Sequence, residues 1–167
     1  MALSKIQAES MNLADTYAFT GTVSGAGANT PAFRAHLGTN QNINNASLTT
    51  MAFDTEDFDT DNYFNTSNYR FTPLVSGKYY IFAGQRYTAT ANYDTDIDIE
   101  IRKNGSSIAR FRGINYFQDT RIIQTITDMN GSTDYLEVTV YQTSGITQTI
   151  QSGTQDSYFG GFKLLGT

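Results

Sequence analysis

The histidine at position 36 is the first residue to consider for chemistry, since the chain has no other. Nucleophilic and acid–base catalysis commonly pair a histidine with a serine or a carboxylate. In residues 33–37, however, apolar and polar residues alternate, and His36 falls on the polar side beside Arg34. We therefore predict a solvated surface side chain. A single histidine also excludes a histidine-rich zinc site.

Two acidic segments carry the oxygen ligands that calcium prefers. In residues 54–62 three aspartates match the start of an EF-hand loop, but Asn62 and Asn68 stand where that loop needs glycine and glutamate. Residues 94–98 also lack the glycine, and their carboxylates alternate along a predicted strand. We predict that both segments are solvated and that the protein has no cofactor. If calcium does bind, we expect it first at one of two pairs: Asp57 with Asp59, or Asp94 with Asp96.

The sequence offers no recognisable catalytic set. Glycoside hydrolysis needs two carboxylates roughly 5–10 Å apart across a cleft, whereas the acidic residues here occur in predicted turns. The chain contains neither a Walker loop nor a dinucleotide fingerprint. We therefore predict a protein that is not an enzyme. A hydrolase on a β-scaffold is an alternative that turnover of a capsule polysaccharide would support.

Charge and hydropathy exclude several partner classes. The formal net charge is −5 and there is no basic run, which argues against binding to nucleic-acid phosphates. No stretch approaches the roughly 20 apolar residues of a membrane-spanning helix, so membrane insertion is not expected. Residues 1–10 lack the apolar core of a signal peptide. The chain also has no cysteine, and we expect a cytosol-assembled product held together by packing alone.

The chain divides into two regions by composition. Residues 1–30 are predicted to form an N-terminal arm and a glycine-rich linker, and residues 31–167 a single β-domain. The arm contains apolar residues without a sustained period, which we expect to anchor it to a partner: Leu3, Ile6, Met11, Leu13, Tyr17 and Phe19.

Short strands separated by turn residues dominate the β-domain. Residues 96–102 alternate isoleucine with charged residues, and Asn104-Gly105 is a strong type I′ hairpin signal. The 11 tyrosines and 11 phenylalanines supply a large buried area. This pattern predicts a sandwich or jelly roll. Further strands are predicted at residues 33–37, 48–53, 69–71, 78–85, 107–112, 121–127, 135–141 and 158–165.

Several ordered segments together resemble a known domain. Residues 31–33, 69–73, 77–82, 102–105 and 159–165 are similar to the globular head of the first complement component, subcomponent q, in the tumour-necrosis-factor-like (TNF-like) superfamily. The resemblance implies an all-β TNF-like jelly-roll sandwich of about 8–10 antiparallel strands, assembled as a homotrimer. Segments that resemble the version found in tailed-bacteriophage virion proteins are residues 5–15, 54–59 and 134–145.

The bacteriophage resemblance implies a non-enzymatic virion structural protein. We expect a trimeric capsid decoration or cement knob on the virion surface, assembled in the bacterial cytoplasm and anchored through residues 1–30 to capsid or tail proteins. The alternative is the receptor-binding tip of a tail fibre, which adheres to a host surface glycan or protein. The polar loops rich in tyrosine and asparagine favour carbohydrate contact.

Alternation along residues 79–82 suggests where the subunits of such a trimer meet. If Tyr79 and Ile81 fill the sandwich, the next residues point outward and need cover from a neighbouring subunit. We accordingly predict trimer contacts at four aromatic residues: Tyr80, Phe82, Phe159 and Phe162.

Overall fold

The computed structural model describes residues 29–88, 96–114 and 120–165. Within these ranges every regular element is a β-strand, which confirms the predicted all-β class. The strands are β1 (Ala32–His36), β2 (Gln41–Ile43), β3 (Thr49–Thr50), β4 (Thr55–Asp59), β5 (Phe64–Asn65), β6 (Arg70–Phe71), β7 (Gly77–Arg86), β8 (Asp96–Lys103), β9 (Ser106–Ile114), β10 (Thr120–Met129), β11 (Leu136–Gln142), β12 (Gln148–Ile150) and β13 (Tyr158–Lys163).

Two antiparallel sheets form the two layers of the sandwich. The first sheet has the strand order β10-β7-β13-β1-β4. The second has the order β5-β6-β11-β8-β9, and β3 also pairs with β11. A small ribbon joins β12 to β2. Apart from the consecutive pairs β5-β6 and β8-β9, neighbouring strands are distant in sequence, so the sheets depend mainly on non-local pairing.

A stack of aromatic rings joins the two sheets. The ring of Phe33 on β1 lies 4.1 Å from that of Phe71 on β6 and 5.1 Å from that of Phe64 on β5, measured between centroids. The ring of Phe159 on β13 meets Phe33 edge to face at 4.9 Å. Stacked and edge-to-face pairs of this kind add to the stabilisation from buried area. The centre of the core is therefore aromatic, as the composition predicts.

The predicted hairpin between β8 and β9 is confirmed. Asn104 and Gly105 both have positive φ, 51° and 79°, as a type I′ turn requires. The Asn104 side chain also ties this turn to the loop before β11. Its Nδ2 donates to the Asp134 carboxylate at 2.7 Å, and its Oδ1 accepts from the backbone N–H of Tyr135 at 2.9 Å.

The acidic segment 54–62, predicted as a solvated loop, contains the edge strand β4 instead. This strand pairs with β1, and the register shifts between Arg34 and Ala35. Its residues are nearly all exposed, so it lacks the apolar alternation by which a strand is predicted from sequence. A charged, bulged edge of this kind resists pairing with another chain.

The predicted strand over residues 48–53 is reduced to the two residues of β3. Met51 and Phe53 lie beyond it and are fully buried in the core, and the Met51 N–H still donates to the carbonyl oxygen of Val138 on β11 at 2.9 Å.

The anchoring residues predicted in the arm (Leu3, Ile6, Met11, Leu13, Tyr17 and Phe19) lie outside the described residues, as does the calcium candidate Asp94. In the part of the chain that is described, no helix is long and apolar enough to cross a membrane.

Candidate functional site

The two faces of β7 differ as the sequence predicts. Tyr79 and Ile81 are fully buried between the sheets. Tyr80 and Phe82 point away from the core and are only partly covered. Since side chains alternate along a strand, these two rings stand on the outer face of the first sheet.

Aromatic rings from β13 join those of β7 on this outer face. Phe162 is the register partner of Tyr80, and Tyr158 is the partner of Gly84. The ring centroids of Tyr80 and Phe162 are 5.5 Å apart, and those of Phe82 and Tyr158 are 6.1 Å apart. The Tyr80 hydroxyl also hydrogen-bonds the Gln124 side chain. The rings therefore form one continuous cluster.

Exposed aliphatic and aromatic residues extend the cluster across the sheet. On β10, Ile122 and Ile126 are 57% and 59% exposed and pair with Gly84 and Tyr80. Phe58 on β4 is half exposed and pairs with Arg34. We call this surface the aromatic face, and define it by Phe58, Tyr80, Phe82, Ile122, Ile126, Tyr158 and Phe162.

Phe159 does not belong to the aromatic face, which corrects its predicted place at a subunit contact. Its side chain is fully buried, and its ring lies 5.8 Å from that of Phe53 in the core. Because β13 alternates, the outward residue next to it is Tyr158. Sequence reasoning missed Tyr158, since the choice between the two faces depends on the pairing of β13 with β7.

His36 lies at the rim of the aromatic face rather than free in solvent. Its Nδ1 is 2.9 Å from Oδ1 of Asp57, and only 15% of its side chain is exposed. Asp57 also accepts a hydrogen bond from Arg34, whose guanidinium lies 5.1 Å from the centre of the Tyr158 ring. The group holds a cation over an aromatic ring, an arrangement that stabilises both.

Three of the calcium candidates, Asp57, Asp59 and Asp96, lie in the described residues. Asp57 is engaged by Arg34 and His36. Asp59 accepts from the backbone N–H groups of Asp61 at 3.2 Å and Phe64 at 2.7 Å. Asp96 is exposed at the start of β8. In residues 29–88, 96–114 and 120–165, no group of three or more His, Cys, Asp or Glu side chains is placed to hold a metal ion.

The outward carboxylates of β8 are buried, although the alternation predicts that they face water. Asp98 is 2% exposed and Glu100 is 1% exposed. Arg112 and Arg110, their register partners on β9, cover them. Sequence alternation identifies which face these carboxylates occupy, but long arginine side chains on the neighbouring strand decide whether solvent reaches them.

Two depressions accompany these faces. One of about 280 Å³ lies over the Asp98 and Glu100 pair. A wider one of about 440 Å³ is lined by the 62–74 loops, including Asn65 and Asn68. The Asn65 side-chain oxygen accepts from the N–H of Ser67 at 2.8 Å, and that of Asn68 accepts from the N–H of Arg70 at 3.2 Å. Both amides are therefore oriented by the loop itself.

Solved structures with the same architecture cover most of the chain. Eiger TNF from S. frugiperda matches with a TM-score of 0.59 and 11% identity, over 81% of this chain and 93% of that one. The globular domain of zebrafish complement 1qA protein matches with a TM-score of 0.58 and 14% identity, over 81% and 98%. Murine APRIL at pH 8.5 matches with a TM-score of 0.52 and 11% identity, over 80% and 99%.

No family model and no curated protein matches the sequence. At these identities the structural likeness establishes the fold. Three observations support the same fold: the order of the strands in the two sheets, the core between them, and the large share of the chain that the matches cover. The chain therefore has the TNF-like jelly-roll fold, the architecture of tumour necrosis factor and complement 1q globular domains.

Proposed function

We propose that the protein is a non-enzymatic, homotrimeric assembly module whose subunits meet through the aromatic face. The observation that carries this proposal is the exposure of Ile122 and Ile126 beside a continuous ring cluster on one sheet. A monomer rarely leaves so large a contiguous apolar surface in water. Copies of the same chain are a suitable cover, because closed homo-oligomers bury one patch against its equivalents.

The distribution of charge over the first sheet supports a protein contact. The middle of the aromatic face is apolar, with the Tyr80 hydroxyl satisfied by Gln124. One ion pair lies at its margin, Lys78 with Asp128 at 2.7 Å, and a second, Arg34 with Asp57, lies between Phe58 and the ring cluster. An apolar centre with a polar rim is the usual anatomy of a protein–protein interface.

Sedimentation equilibrium of the purified chain tests this association. We expect a single species with three times the monomer mass over the micromolar range. A well-folded monomer would contradict the proposal, and a stable dimer would contradict the trimer.

We further propose that the trimer is a bacteriophage capsid decoration or cement protein, assembled in the host cytoplasm and displayed on the virion surface. The proposal rests on the resemblance of the short segments 5–15, 54–59 and 134–145 to tailed-bacteriophage virion proteins. In this proposal residues 1–30 anchor the jelly-roll domain of residues 31–167 to the shell. Cryo-electron microscopy of intact particles tests it, since density for the trimer is expected at many equivalent points on the capsid.

A receptor-binding tip of a tail fibre is the second candidate. The depression lined by Asn65 and Asn68 favours it, because oriented amides next to aromatic residues suit contacts with glycan hydroxyls. Copy number separates the two roles: quantitative proteomics of virions should find hundreds of copies for a decoration protein and a few to tens for a fibre tip. Blocking of phage adsorption by the isolated protein would favour the fibre tip.

A further inference from the structure

A compact cluster of charged side chains lies on the outer face of the second sheet. This face is on the opposite side of the sandwich from the aromatic face. Asp98, Glu100 and Arg102 alternate along β8. Arg112 stands opposite Asp98 and Arg110 opposite Glu100 on β9. These side chains line the depression of about 280 Å³.

The carboxylates hold the guanidinium groups in fixed orientations. Nε and Nη2 of Arg112 lie 2.9 Å and 3.0 Å from the two oxygens of Asp98. Nε and Nη2 of Arg110 both contact Oε1 of Glu100. Nη1 of Arg102 lies 2.7 Å from Oε2 of Glu100. Each arginine is therefore oriented by a charge-assisted contact, and Arg112 meets both oxygens of Asp98 in the planar fork geometry that suits carboxylates.

Burying two carboxylates on an outer face lowers stability, because each charge loses its hydration. Apolar residues at the same positions would not have this free-energy cost. A buried ion pair can often be replaced by apolar residues of similar volume with little loss of stability. Here Asp98 and Glu100 are almost fully buried, whereas the side chains of Arg110 and Arg112 are 48% and 55% exposed. The arrangement therefore presents two rigid guanidinium groups to solvent at the cost of two buried carboxylates.

The exposed parts of these arginines suit an anion. Within the described residues, the contacts to Asp98 and Glu100 use Nε and Nη2, which leaves Nη1 of each guanidinium for a ligand. The side chains that line the depression, two carboxylates and three arginines, sum to a charge of about +1, although Asp96 also acts on Arg112 and the whole chain is negative. Residues two apart on a strand are about 7 Å apart, so Arg110 and Arg112 can contact neighbouring groups of one ligand.

The remaining walls suit the apolar side of a sugar ring. Leu48 is half exposed and Tyr141, the β11 partner of Asp98, lines the depression beside it. Pockets for drug-sized ligands usually exceed about 300 Å³, and this one is slightly smaller. Its size therefore fits a single ring better than an extended chain.

We propose that this depression binds one acidic sugar unit, a hexose ring that bears a carboxylate. Arg110 and Arg112 would bind the carboxylate and an adjacent hydroxyl, while Leu48 and Tyr141 would pack against the C–H face of the ring. The site requires neither the trimer nor a role in a virion, because it is built from the second sheet of one subunit. It would give an assembly module a contact with uronic-acid glycans.

Titration with D-glucuronate, followed by NMR shifts of the Leu48 methyl and Tyr141 ring signals, tests the proposal. We expect saturable shifts with a millimolar Kd and at least tenfold weaker binding of D-glucose. Binding of D-glucose with equal affinity, or the absence of saturation by D-glucuronate, would overturn it. D-glucose 6-phosphate distinguishes the anionic group, since tighter binding of the phosphate would refute a carboxylate site.

Variants at Leu48 keep the test independent of folding, because this side chain is half exposed and takes no part in the ion pairs. Both Leu48→Glu and Leu48→Gln should weaken D-glucuronate binding because the apolar contact with the ring is lost, and Leu48→Glu should bind at least fivefold more weakly than Leu48→Gln because only the glutamate repels the anion. Arg112→Gln should abolish binding, and Lys78→Gln on the other sheet serves as the charge-matched control. Equal affinities of the two Leu48 variants would contradict an anion in this depression, whatever the oligomeric state.

Discussion

The ring of Phe82 lies directly across Gly160, its register partner on β13. A β-carbon on Gly160 would be 2.6 Å from Cζ of Phe82, which is too close for any non-bonded contact. Tyr158 lies over Gly84 in the same way, with Cζ 2.7 Å from a β-carbon built there. Two glycines on adjacent strands therefore leave room for two rings of the aromatic face.

Replacing Gly160 by alanine should weaken self-association more than folding. The new methyl group would displace the ring of Phe82 from the sheet and would also lie 3.0 Å from the backbone oxygen of Phe33 on β1, so it changes the shape of the aromatic face with only a slight adjustment of the neighbouring strand. We expect at least a tenfold rise in the dissociation constant by sedimentation equilibrium, together with a modest loss of stability in urea.

The matched control is Gly161→Ala, one residue further along β13 on the core side. Its β-carbon would lie 2.8 Å from the backbone oxygen of Tyr80 and 2.5 Å from Cδ1 of Ile81. Overpacking of this kind costs about 1–3 kcal/mol, so this variant should lose folding stability. If Gly160→Ala and Gly161→Ala changed the dissociation constant and the stability in urea to the same extent, the assignment of Gly160 to the outer face and Gly161 to the core side would be wrong.

An exposed isoleucine on the aromatic face should be essential for association and dispensable for folding. Ile126→Lys places a charge where subunits are expected to meet, and an unpaired buried charge is strongly unfavourable. We expect this variant to sediment as a monomer with near-native thermal stability, since Ile126 is mostly exposed within one subunit.

Leu74→Lys provides the control, because Leu74 is equally exposed but lies outside the aromatic face. It should retain the oligomeric mass of the unmodified protein. An Ile126→Lys protein that remains associated would show that subunits meet elsewhere.

Asp134 should make folding stability depend on pH at acidic values. The hydrogen bond from Lys103, supported by Asn104 and the backbone of Asn130, lowers the pKa of Asp134 below its ordinary 3.8. A carboxyl group with a lowered pKa in the folded state stabilises the fold above its unfolded-state pKa, and this contribution is lost as the pH falls further.

Asp134→Asn tests this contribution. It should destabilise the protein by about 1–2 kcal/mol at pH 7, and the difference from the unmodified chain should shrink below pH 4. A difference that stays constant from pH 7 to pH 2, in urea unfolding at each pH, would rule out the carboxylate as its source.

Tyr79 should contribute to loss of stability at alkaline pH. Burial raises the pKa of Tyr79 from 10.0 to about 12, and its hydroxyl donates to the carbonyl oxygen of Val75 at 2.7 Å. The unfolded chain therefore loses this proton at lower pH than the folded chain, so stability falls as the pH rises above about 10.

Tyr79→Phe should be less stable than the unmodified chain by about 1 kcal/mol at pH 7, because the hydrogen bond is lost. Between pH 10 and pH 12 its stability should fall less steeply. Urea unfolding at each pH measures both quantities, and parallel curves for the two proteins would exclude Tyr79 as a cause of the alkaline loss.

The local sequence pattern is sufficient to predict those strands in which apolar and polar residues alternate strongly. Alternating isoleucines in residues 96–102 predict β8 and its core side, and Asn104-Gly105 predicts the turn that follows. Tyr80 and Phe82 were placed correctly on the outside of β7. These features depend on side-chain direction along one strand and on the backbone angles of one turn, both of which are local properties.

Tertiary structure alone decided the features that depend on a partner strand. Pairing with β1 makes the acidic segment an edge strand, and pairing with β7 places Tyr158 outside and Phe159 inside. The arginines of β9 bury Asp98, which an isolated β8 would expose to water. Because these partners come from distant parts of the chain and a one-residue change of register reverses every face, only the assembled sheets determine which side chains are available for binding.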